Sequence, residues 1–255
     1  MRLTLLGTGT SQGVPVIACS CEVCRSADPR DSHLRTSALL ETDEGKNILI
    51  DIGPDFRTQM LVNRVEHVDA ILLTHPHRDH VAGIDDIRPL NYMQKSAIDI
   101  YGNAFTLRVL KHDYAYIFAP HQYPGLPEAQ LHEVESGKPF MAAGCQVLPL
   151  QVMHKDMPIL AYRFGKLAYI TDANYIGEQE MAMLEGVEVL VVNALRKEKH
   201  FSHFCLEEAL HVVEQLHPRQ AVLTHVSHEM GLYAEVAATL PQGVTIGTDG
   251  MTVEV

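Results

Sequence analysis

Val68-Asp69-Ala70-Ile71-Leu72-Leu73-Thr74 runs directly into His75-Pro76-His77-Arg78-Asp79-His80. The first stretch has the apolar content of a buried strand, and the second holds three histidines and an aspartate in six positions. Side chains two apart on extended backbone point the same way, so His75 and His77 can bind one ion. The chain then turns, which lets Asp79 and the histidine after it bind a second ion a few ångströms away. The segment therefore predicts a dinuclear metal site of the kind that clamps a phosphorus or acyl centre.

The composition is that of a folded, acidic protein. Its 255 residues carry a formal net charge of −12, and 46% are hydrophobic against 20% charged, so a full core is expected and intrinsic disorder is excluded. The acidic balance argues against a nucleic-acid partner bound through a broad basic surface. No apolar run approaches the roughly 20 residues of a membrane helix, and the N-terminus lacks the features of a signal peptide. A cytoplasmic protein without a membrane partner is expected.

The periodicity of apolar residues predicts many strands and several helices. The strand-like runs are 2–6, 37–42, 47–52, 68–74, 98–101, 145–153, 159–164, 167–171, 188–193, 220–224 and 244–247, and the helical patterns are 54–63, 84–94, 104–111, 178–184, 205–216 and 230–240. They favour two packed sheets with helices outside, a four-layer αββα sandwich of the α/β class, in a single domain over residues 1–255. A segment predicted to be irregular carries His112, His121 and His132, which are candidates to line a cleft.

Further candidate ligands stand where other predicted strands end. His154 follows the strand at 145–153, Asp172 follows 167–171, and His225 follows the apolar run that ends at Thr224. α/β proteins place their sites at such strand ends. An aspartate suits a position between two cations, because each of its oxygens can bind one of them.

With these motifs the chain resembles the metallo-β-lactamase superfamily, through Thr74-His75-Pro76-His77-Arg78-Asp79-His80. The resemblance implies the αββα fold and a site that holds two divalent ions. It implies that one ion binds His75, His77 and His154, that the other binds Asp79, His80 and His225, and that Asp172 bridges them. It also implies that Asp51 supports the site without binding metal.

The chain further resembles the phosphodiesterases of the bacterial carbon–phosphorus lyase pathway for phosphonate degradation. The glycine-rich start at 6–15, the cluster Cys19-Ser20-Cys21-Glu22-Val23-Cys24 and the motif His200-Phe201-Ser202-His203 carry this resemblance. It implies that His203 lies beside the metals and acts in catalysis. Phe201-Ser202 departs from the Pro-Thr that is more usual before this histidine.

The cysteine cluster predicts a separate structural metal site. Cys19, Cys21 and Cys24 have the spacing C-x-C-x2-C, and thiolates at such spacings suit tetrahedral Zn²⁺. The resemblance implies that His228 is the fourth ligand. Free buried thiols and a redox pair are the alternatives.

We interpret the chain as a dinuclear metal-dependent phosphodiesterase acting on a small phosphorylated substrate, with cyclic ribose phosphodiesters ranked first. A hydroxide between two Mn²⁺ or Zn²⁺ ions would attack phosphorus, with His203, Asp172 and Asp79 as the catalytic residues. One alternative is a nuclease like the tRNA 3′-processing endonucleases, and another is a metal- or metabolite-binding accessory protein without turnover. Acyl or thioester hydrolysis and β-lactam opening stay chemically open. The oligomeric state, a homodimer included, and the metal used in the cell are not fixed by the sequence.

Overall fold

The central strands of both sheets carry buried side chains on both faces. Each sheet is therefore covered on both sides. The computed structural model describes residues 1–119 and 125–255. Successive side chains of a strand point to opposite faces, yet every residue of Asn47–Ile50 and Val189–Asn193 is buried. Each sheet therefore needs an apolar layer on both faces, as is typical of α/β proteins.

The strands form two mixed sheets. The strands of the first sheet are β1 (Arg2–Gly7), β2 (Ser37–Glu41), β3 (Asn47–Ile50), β4 (Ala70–Leu72), β5 (Ile98–Gly102), β6 (Ala129–Glu133) and β15 (Thr252–Glu254). Those of the second are β7 (Phe140–Ala142), β8 (Cys145–His154), β9 (Met157–Phe164), β10 (Leu167–Ile170), β11 (Tyr175–Ile176), β12 (Val189–Asn193), β13 (Gln220–Thr224) and β14 (Val244–Ile246). The first sheet has the order β15-β1-β2-β3-β4-β5-β6 and the second the order β11-β8-β9-β10-β12-β13-β14, with β7 paired to β8.

Helices cover the outer face of each sheet. On the first sheet these are α1 (Phe56–Asn63), α2 (Arg78–Val81), α3 (Arg88–Gln94), α4 (Ala104–Asp113) and α5 (Ala115–Phe118). On the second they are α6 (Glu178–Leu184), α7 (Leu206–Leu216) and α8 (Tyr233–Ala237). Between the sheets lies a buried layer that includes Leu3, Ile50, Tyr162, Tyr169 and Val191. The predicted αββα sandwich is confirmed.

Hydrogen bonds join the two sheets at the edge where β4 ends. The Leu160 N–H donates to the Thr74 carbonyl at 2.9 Å, and the Tyr162 hydroxyl donates to the Leu73 carbonyl at 2.7 Å. Both acceptors immediately precede His75. The second sheet thereby fixes the backbone from which the histidine motif departs.

The differences from the sequence prediction lie in short or half-exposed elements. β6, β7, β11 and β15 were not predicted, because they are short or carry few buried apolar residues and depend on a neighbouring strand for pairing. The segment predicted to be irregular holds the end of α4, α5 and β6, so that prediction was wrong. In the described residues no helix is long and apolar enough to span a membrane. The single-domain interpretation of residues 1–255 stays a prediction.

Candidate metal centre

The candidate ligands leave the two sheets at neighbouring strand ends. Asp51 follows β3, His75 lies shortly after β4, His154 ends β8, Asp172 lies after β10, and His225 follows β13. Three of these residues adopt left-handed backbone, with φ of 60° at Asp51, 58° at Asp172 and 57° at His225. The backbone turns sharply at each of these three residues and leaves the direction of the strand. The side chain therefore points into the space between the sheet edges.

His75, His77 and His154 form one group, whose candidate ligand atoms all lie within 4.8 Å of one another. The His75 Nε2 is 3.0 Å from the His77 Nδ1. The His154 Nδ1–H donates to the backbone carbonyls of Asp172 and Ser202, at 2.8 and 2.9 Å. Since Nδ1 carries the proton, Nε2 of His154 is free to bind a metal ion.

Asp79, His80, Asp172 and His225 form a second group of the same compactness. The His80 Nε2 is 3.2 Å from an Asp79 oxygen and 3.3 Å from Asp172 Oδ1. Asp172 Oδ1 is also 3.0 Å from the His225 Nδ1. All four groups converge on one small volume that is shielded from water.

Asp172 stands between the two groups and faces each with a different oxygen. Its Oδ1 points to His80 and His225, whereas its Oδ2 is 3.7 Å from the His75 Nε2 and 3.4 Å from the His203 Nε2. The side chain is only 2% exposed. One carboxylate is thus oriented so that it can bind an ion on either side.

Burial and mutual charge set the protonation of these groups. Burial, together with the neighbouring His80, lowers the pKa of His75 well below its usual value, and burial lowers that of His225 to about 3. Burial opposes ionisation of Asp172, but the facing His225 and His80 outweigh it and hold the pKa of Asp172 well below its usual value. Burial opposes the charged form of His80, but the Asp172, Asp79 and Asp51 carboxylates outweigh it and raise the pKa of His80 well above its usual value. Deprotonated histidine nitrogens and ionised carboxylates are the forms that bind divalent ions, so a cation bound here would replace a proton on His80.

Asp51 supports the second group from behind. Its Oδ2 is 2.6 Å from the His80 Nδ1, and it accepts hydrogen bonds from the N–H and the hydroxyl of Thr74, both at 2.8 Å. Burial raises its pKa, although His80 opposes this effect. Asp51 therefore holds the His80 ring with Nε2 toward the site, the arrangement usual behind metal-binding histidines.

Several neighbours of the site were missed in the sequence. The hydroxyls of Thr10 and Thr36 lie 3.2 and 3.1 Å from the two ring nitrogens of His225. Thr10 belongs to the glycine-rich start, whose Gly9 pairs with Arg35 and with the residue after His225. The glycine-rich motif could have indicated this close approach, but nothing in the sequence pointed to Thr36.

His203 lies against the predicted metal site and has a polar neighbourhood of its own. Its side chain is 13% exposed, and its Nε2 faces Asp172. Its Nδ1 is 3.0 Å from the Ser202 hydroxyl oxygen and 3.2 Å from the His200 Nδ1. Either contact can fix which ring nitrogen of His203 carries a proton. His200 was quoted in the motif but was not assigned a role from the sequence.

The cysteine cluster forms a separate group with His228. The His228 Nδ1 is 3.5 Å from the Cys19 sulfur and 3.3 Å from the Cys21 sulfur, and Cys24 completes the group. Tetrahedral zinc with Zn–S near 2.3 Å and Zn–N near 2.05 Å would separate S and N by about 3.5 Å. The N–H of Cys24 donates to the Cys21 sulfur, and mainly for this reason the pKa of Cys21 falls to about 6.

The donor sets fit the metals that the fold implies. The His80 Nε2 is buried and has no hydrogen-bond partner among the described residues, although carboxylate oxygens surround it, as expected for an atom that binds a cation. Three sulfurs and one nitrogen fit a structural zinc site. The structure brings together all eleven side chains predicted as ligands: His75, His77, Asp79, His80, His154, Asp172 and His225, and Cys19, Cys21, Cys24 and His228. The number and identity of the ions stay predictions.

The other candidate histidines do not join the site. The exposed His112 ring lies 2.9 Å from an Asp113 oxygen. His132 lies 2.7 Å from an Asp99 oxygen and stacks on Tyr101, at the edge of the first sheet. His121 lies outside the described residues.

Comparison with known proteins identifies the family. Residues 46–226 match the model of the β-lactamase superfamily domain. A solved structure described as a new diphosphatase from the PhnP family is 39% identical, with a TM-score of 0.92, and the match covers 100% of this chain and 97% of that one. The zinc-bound PqqB structure from Methylobacterium extorquens, at 20% identity and a TM-score of 0.80 over 100% of both chains, shares the fold.

A curated relative is the octanoyltransferase of Porphyromonas gingivalis, 41% identical over 252 residues. The match covers 98% of this chain but 51% of that protein, so the chain spans about half of its length. The family model covers more than half of this chain and includes both histidine-rich groups. The resemblance inferred from the motifs is confirmed, and the chain belongs to the β-lactamase superfamily, whose fold implies divalent metal ions and hydrolytic chemistry.

Proposed function

We propose that the chain is a metal-dependent phosphodiesterase acting on small substrates. The observation that carries the proposal is the arrangement around Asp172. One buried carboxylate faces two metal-ligand groups, and His203 lies on the same side as its Oδ2. A site with two cation positions and an adjacent proton donor suits displacement at a phosphate centre.

Within this proposal, His75, His77 and His154 hold one ion, and Asp79, His80 and His225 hold the other, with Asp172 shared. Divalent ions bound there supply Lewis acidity and lower the pKa of a bound water. The chain's own contribution is orientation. Asp51 fixes the His80 ring, and two backbone carbonyls fix that of His154.

His203 is the candidate proton donor to the leaving oxygen. Its Nδ1 contacts Ser202 and His200, so a proton on Nε2 would point toward the site. Such a donor typically contributes about 10²–10⁴-fold to the rate. Asp79, with an oxygen 3.2 Å from the His80 Nε2, completes the catalytic residues that we propose.

Two substrate classes suit the same centre. Cyclic ribose phosphodiesters follow from the resemblance to the phosphonate-pathway enzymes. A diphosphate substituted at both ends is related in chemistry, because each of its phosphorus atoms carries two bridging oxygens. The similarity to a PhnP-family diphosphatase supports including this second class.

The charge of one insert argues against the nuclease alternative. The tRNA 3′-processing endonucleases that the chain resembles in its glycine-rich start use a basic arm to hold tRNA. Here the insert between Leu110 and Glu135 has one lysine, Lys111, against four acidic residues, Asp113, Glu128, Glu133 and Glu135. An accessory protein that binds metal without turnover is distinguished by a rate measurement.

The test is a hydrolysis panel on protein reconstituted with Mn²⁺ or Zn²⁺. It contains a ribose cyclic phosphate, a disubstituted diphosphate, a bis-aryl phosphodiester, an aryl phosphomonoester, precursor tRNA, a thioester and a β-lactam. We expect turnover of the small diesters that exceeds that of the monoester and the acyl substrates. Selective cleavage of precursor tRNA, or of the thioester, would replace the proposal, and absence of any turnover would favour the accessory protein.

A further inference from the structure

Phe201 is a solvent-exposed aromatic ring at the edge of the candidate metal centre. It is 70% exposed, although it lies two residues before His203, and its ring centroid is 4.4 Å from that of His200. Single exposed apolar side chains are common on protein surfaces, so the position of this ring beside the site and its neighbours carry the argument. The phosphodiesterases that the chain resembles more usually have proline at this position.

The ring stands beside one of the predicted ligands. The carbonyl of Ser202, the next residue, accepts a hydrogen bond from the His154 Nδ1–H at 2.9 Å. Lys155, the residue after His154, places its Nζ 5.6 Å from the centroid of the Phe201 ring. An exposed ring and an exposed ammonium group, which also lies 3.8 Å from an oxygen of Asp156, thus lie together on the side of the site formed by His154 and His203.

The backbone that carries the pair is braced by hydrogen bonds. The Arg196 guanidinium donates to the carbonyls of Glu198 and Lys199 and pairs with Glu229 at 2.7 Å. The Phe204 N–H donates to the Ala173 carbonyl at 2.7 Å, and the Lys155 N–H to the Asn174 side chain at 2.7 Å. A surface held in this way loses little freedom when a ligand binds.

We propose that Phe201 is a stacking surface for an aromatic group of the substrate, with Lys155 binding an accompanying phosphate oxygen. Nucleotide-type diesters are the chemical class that combines a flat base with anionic phosphates. Stacking on an aromatic side chain tolerates any base, because every base has a π-face. The inference rests on the proposed function, since it concerns the same site.

The experiment compares two substrates with one leaving group. Thymidine 5′-(p-nitrophenyl phosphate) carries a base, and methyl p-nitrophenyl phosphate does not. We expect Phe201→Ala to lower kcat/KM on the thymidine ester by roughly 5- to 150-fold, the range found when stacking residues are replaced by alanine, mainly through KM. The methyl ester should change less than about 2-fold.

Matched variants separate stacking from simple bulk. Phe201→Tyr should keep the activity on the thymidine ester, whereas Phe201→Leu should lose most of the preference for it. Lys155→Met should raise KM for both esters by similar factors, because both carry the phosphate whose oxygen Lys155 would bind. Tyr92→Ala, which removes a similarly exposed ring (69%) on α3, should change neither.

The outcomes keep the two proposals apart. If the unmodified enzyme hydrolyses neither of the two esters nor any other diester, the proposed function is wrong. If it hydrolyses both and Phe201→Ala lowers both equally, the ring only supports the loop that carries His203, and the stacking proposal is overturned. The stacking proposal is also overturned if Phe201→Ala affects neither ester. The same holds if the variant changes the oligomeric state and leaves the preference for the thymidine ester unchanged.

Discussion

Asp172 is the residue on which the candidate site depends most. We expect Asp172→Ala to lower turnover by several orders of magnitude and to lower metal content at both positions, because each ion loses a ligand and their repulsion is less compensated. Elemental analysis and steady-state rates provide the measurement. Asp43→Ala, at an exposed carboxylate, is the control. Two retained ions with near-normal turnover would disprove the bridging role.

His203 gives a prediction that depends on the leaving group. If it donates a proton to the departing oxygen, His203→Ala should lower kcat far more on an alkyl or cyclic ribose diester than on a nitrophenyl diester, which leaves as a stable anion. The difference should fall within the roughly 10²–10⁴-fold typical of general acid catalysis. Equal losses on both substrates would indicate that His203 binds or positions the phosphate.

His33 provides a pH dependence of stability away from the metal centre. It is 6% exposed, and its ring contacts the Thr8 hydroxyl at 2.8 Å. Burial lowers its pKa to about 4, so between about pH 6.5 and 4 the unfolded chain binds more protons than the folded one, and stability falls as pH falls. We expect the free energy of unfolding, relative to His33→Asn, to fall by up to about 3 kcal/mol from pH 7 to 4.

Urea unfolding of both proteins at several pH values tests this expectation. His217→Asn, at an exposed histidine, is the control for the loss of an imidazole at the surface. A pH-independent difference for His33→Asn would show that the folded protein accommodates the charged ring.

The candidate ligands could be recognised in the sequence because most lie at strand ends or in one short motif. Strand geometry relates His75 and His77, and Asp79 follows directly in the short helix α2. Thr36 escaped prediction because its contact with His225 joins residues 189 positions apart. Such contacts depend on how the two sheets pack, which no local pattern reports.

At the scale of elements, the cysteine loop offers a test of structural zinc. We expect Cys21→Ser to release one zinc ion and to lower the melting temperature, while the histidine-rich groups still bind metal, because structural zinc contributes directly to folding free energy. Zinc content and thermal unfolding give the measurement. Cys145→Ser, outside the cluster, is the control. Unchanged zinc content would show that the cysteines are ordinary thiols.

Strands with buried faces were predictable, the edge strand β14 among them, whereas the other edge strands were not. β12 is buried at every residue, and its run of apolar residues is visible in any window. β6 is intermediate or exposed throughout, so its sequence lacks that pattern and only pairing with β5 makes it a strand. β15 has three residues and depends on β1 in the same way.

At the scale of the whole molecule, Tyr162 joins the two sheets. We expect Tyr162→Phe to lower the free energy of unfolding by about 1–3 kcal/mol, because the Leu73 carbonyl loses the hydrogen bond from this hydroxyl and stays buried. Denaturant unfolding measures the change. Tyr169→Phe is a matched control, since the Tyr169 hydroxyl is buried without a hydrogen-bond partner among the described residues. If Tyr169→Phe lowered the free energy of unfolding as much as Tyr162→Phe does, the explanation would be wrong.

The left-handed backbone at Asp172 and His225 lowers folding stability at two residues that the proposed activity requires. Left-handed backbone costs a non-glycine residue roughly 1–2 kcal/mol, and glycine avoids this steric cost although it loses more conformational freedom on folding. A laboratory selection that rewards only survival of heating, in medium stripped of metals, should therefore enrich glycine at these two positions. The selected variants would be more thermally stable and would no longer turn over substrate.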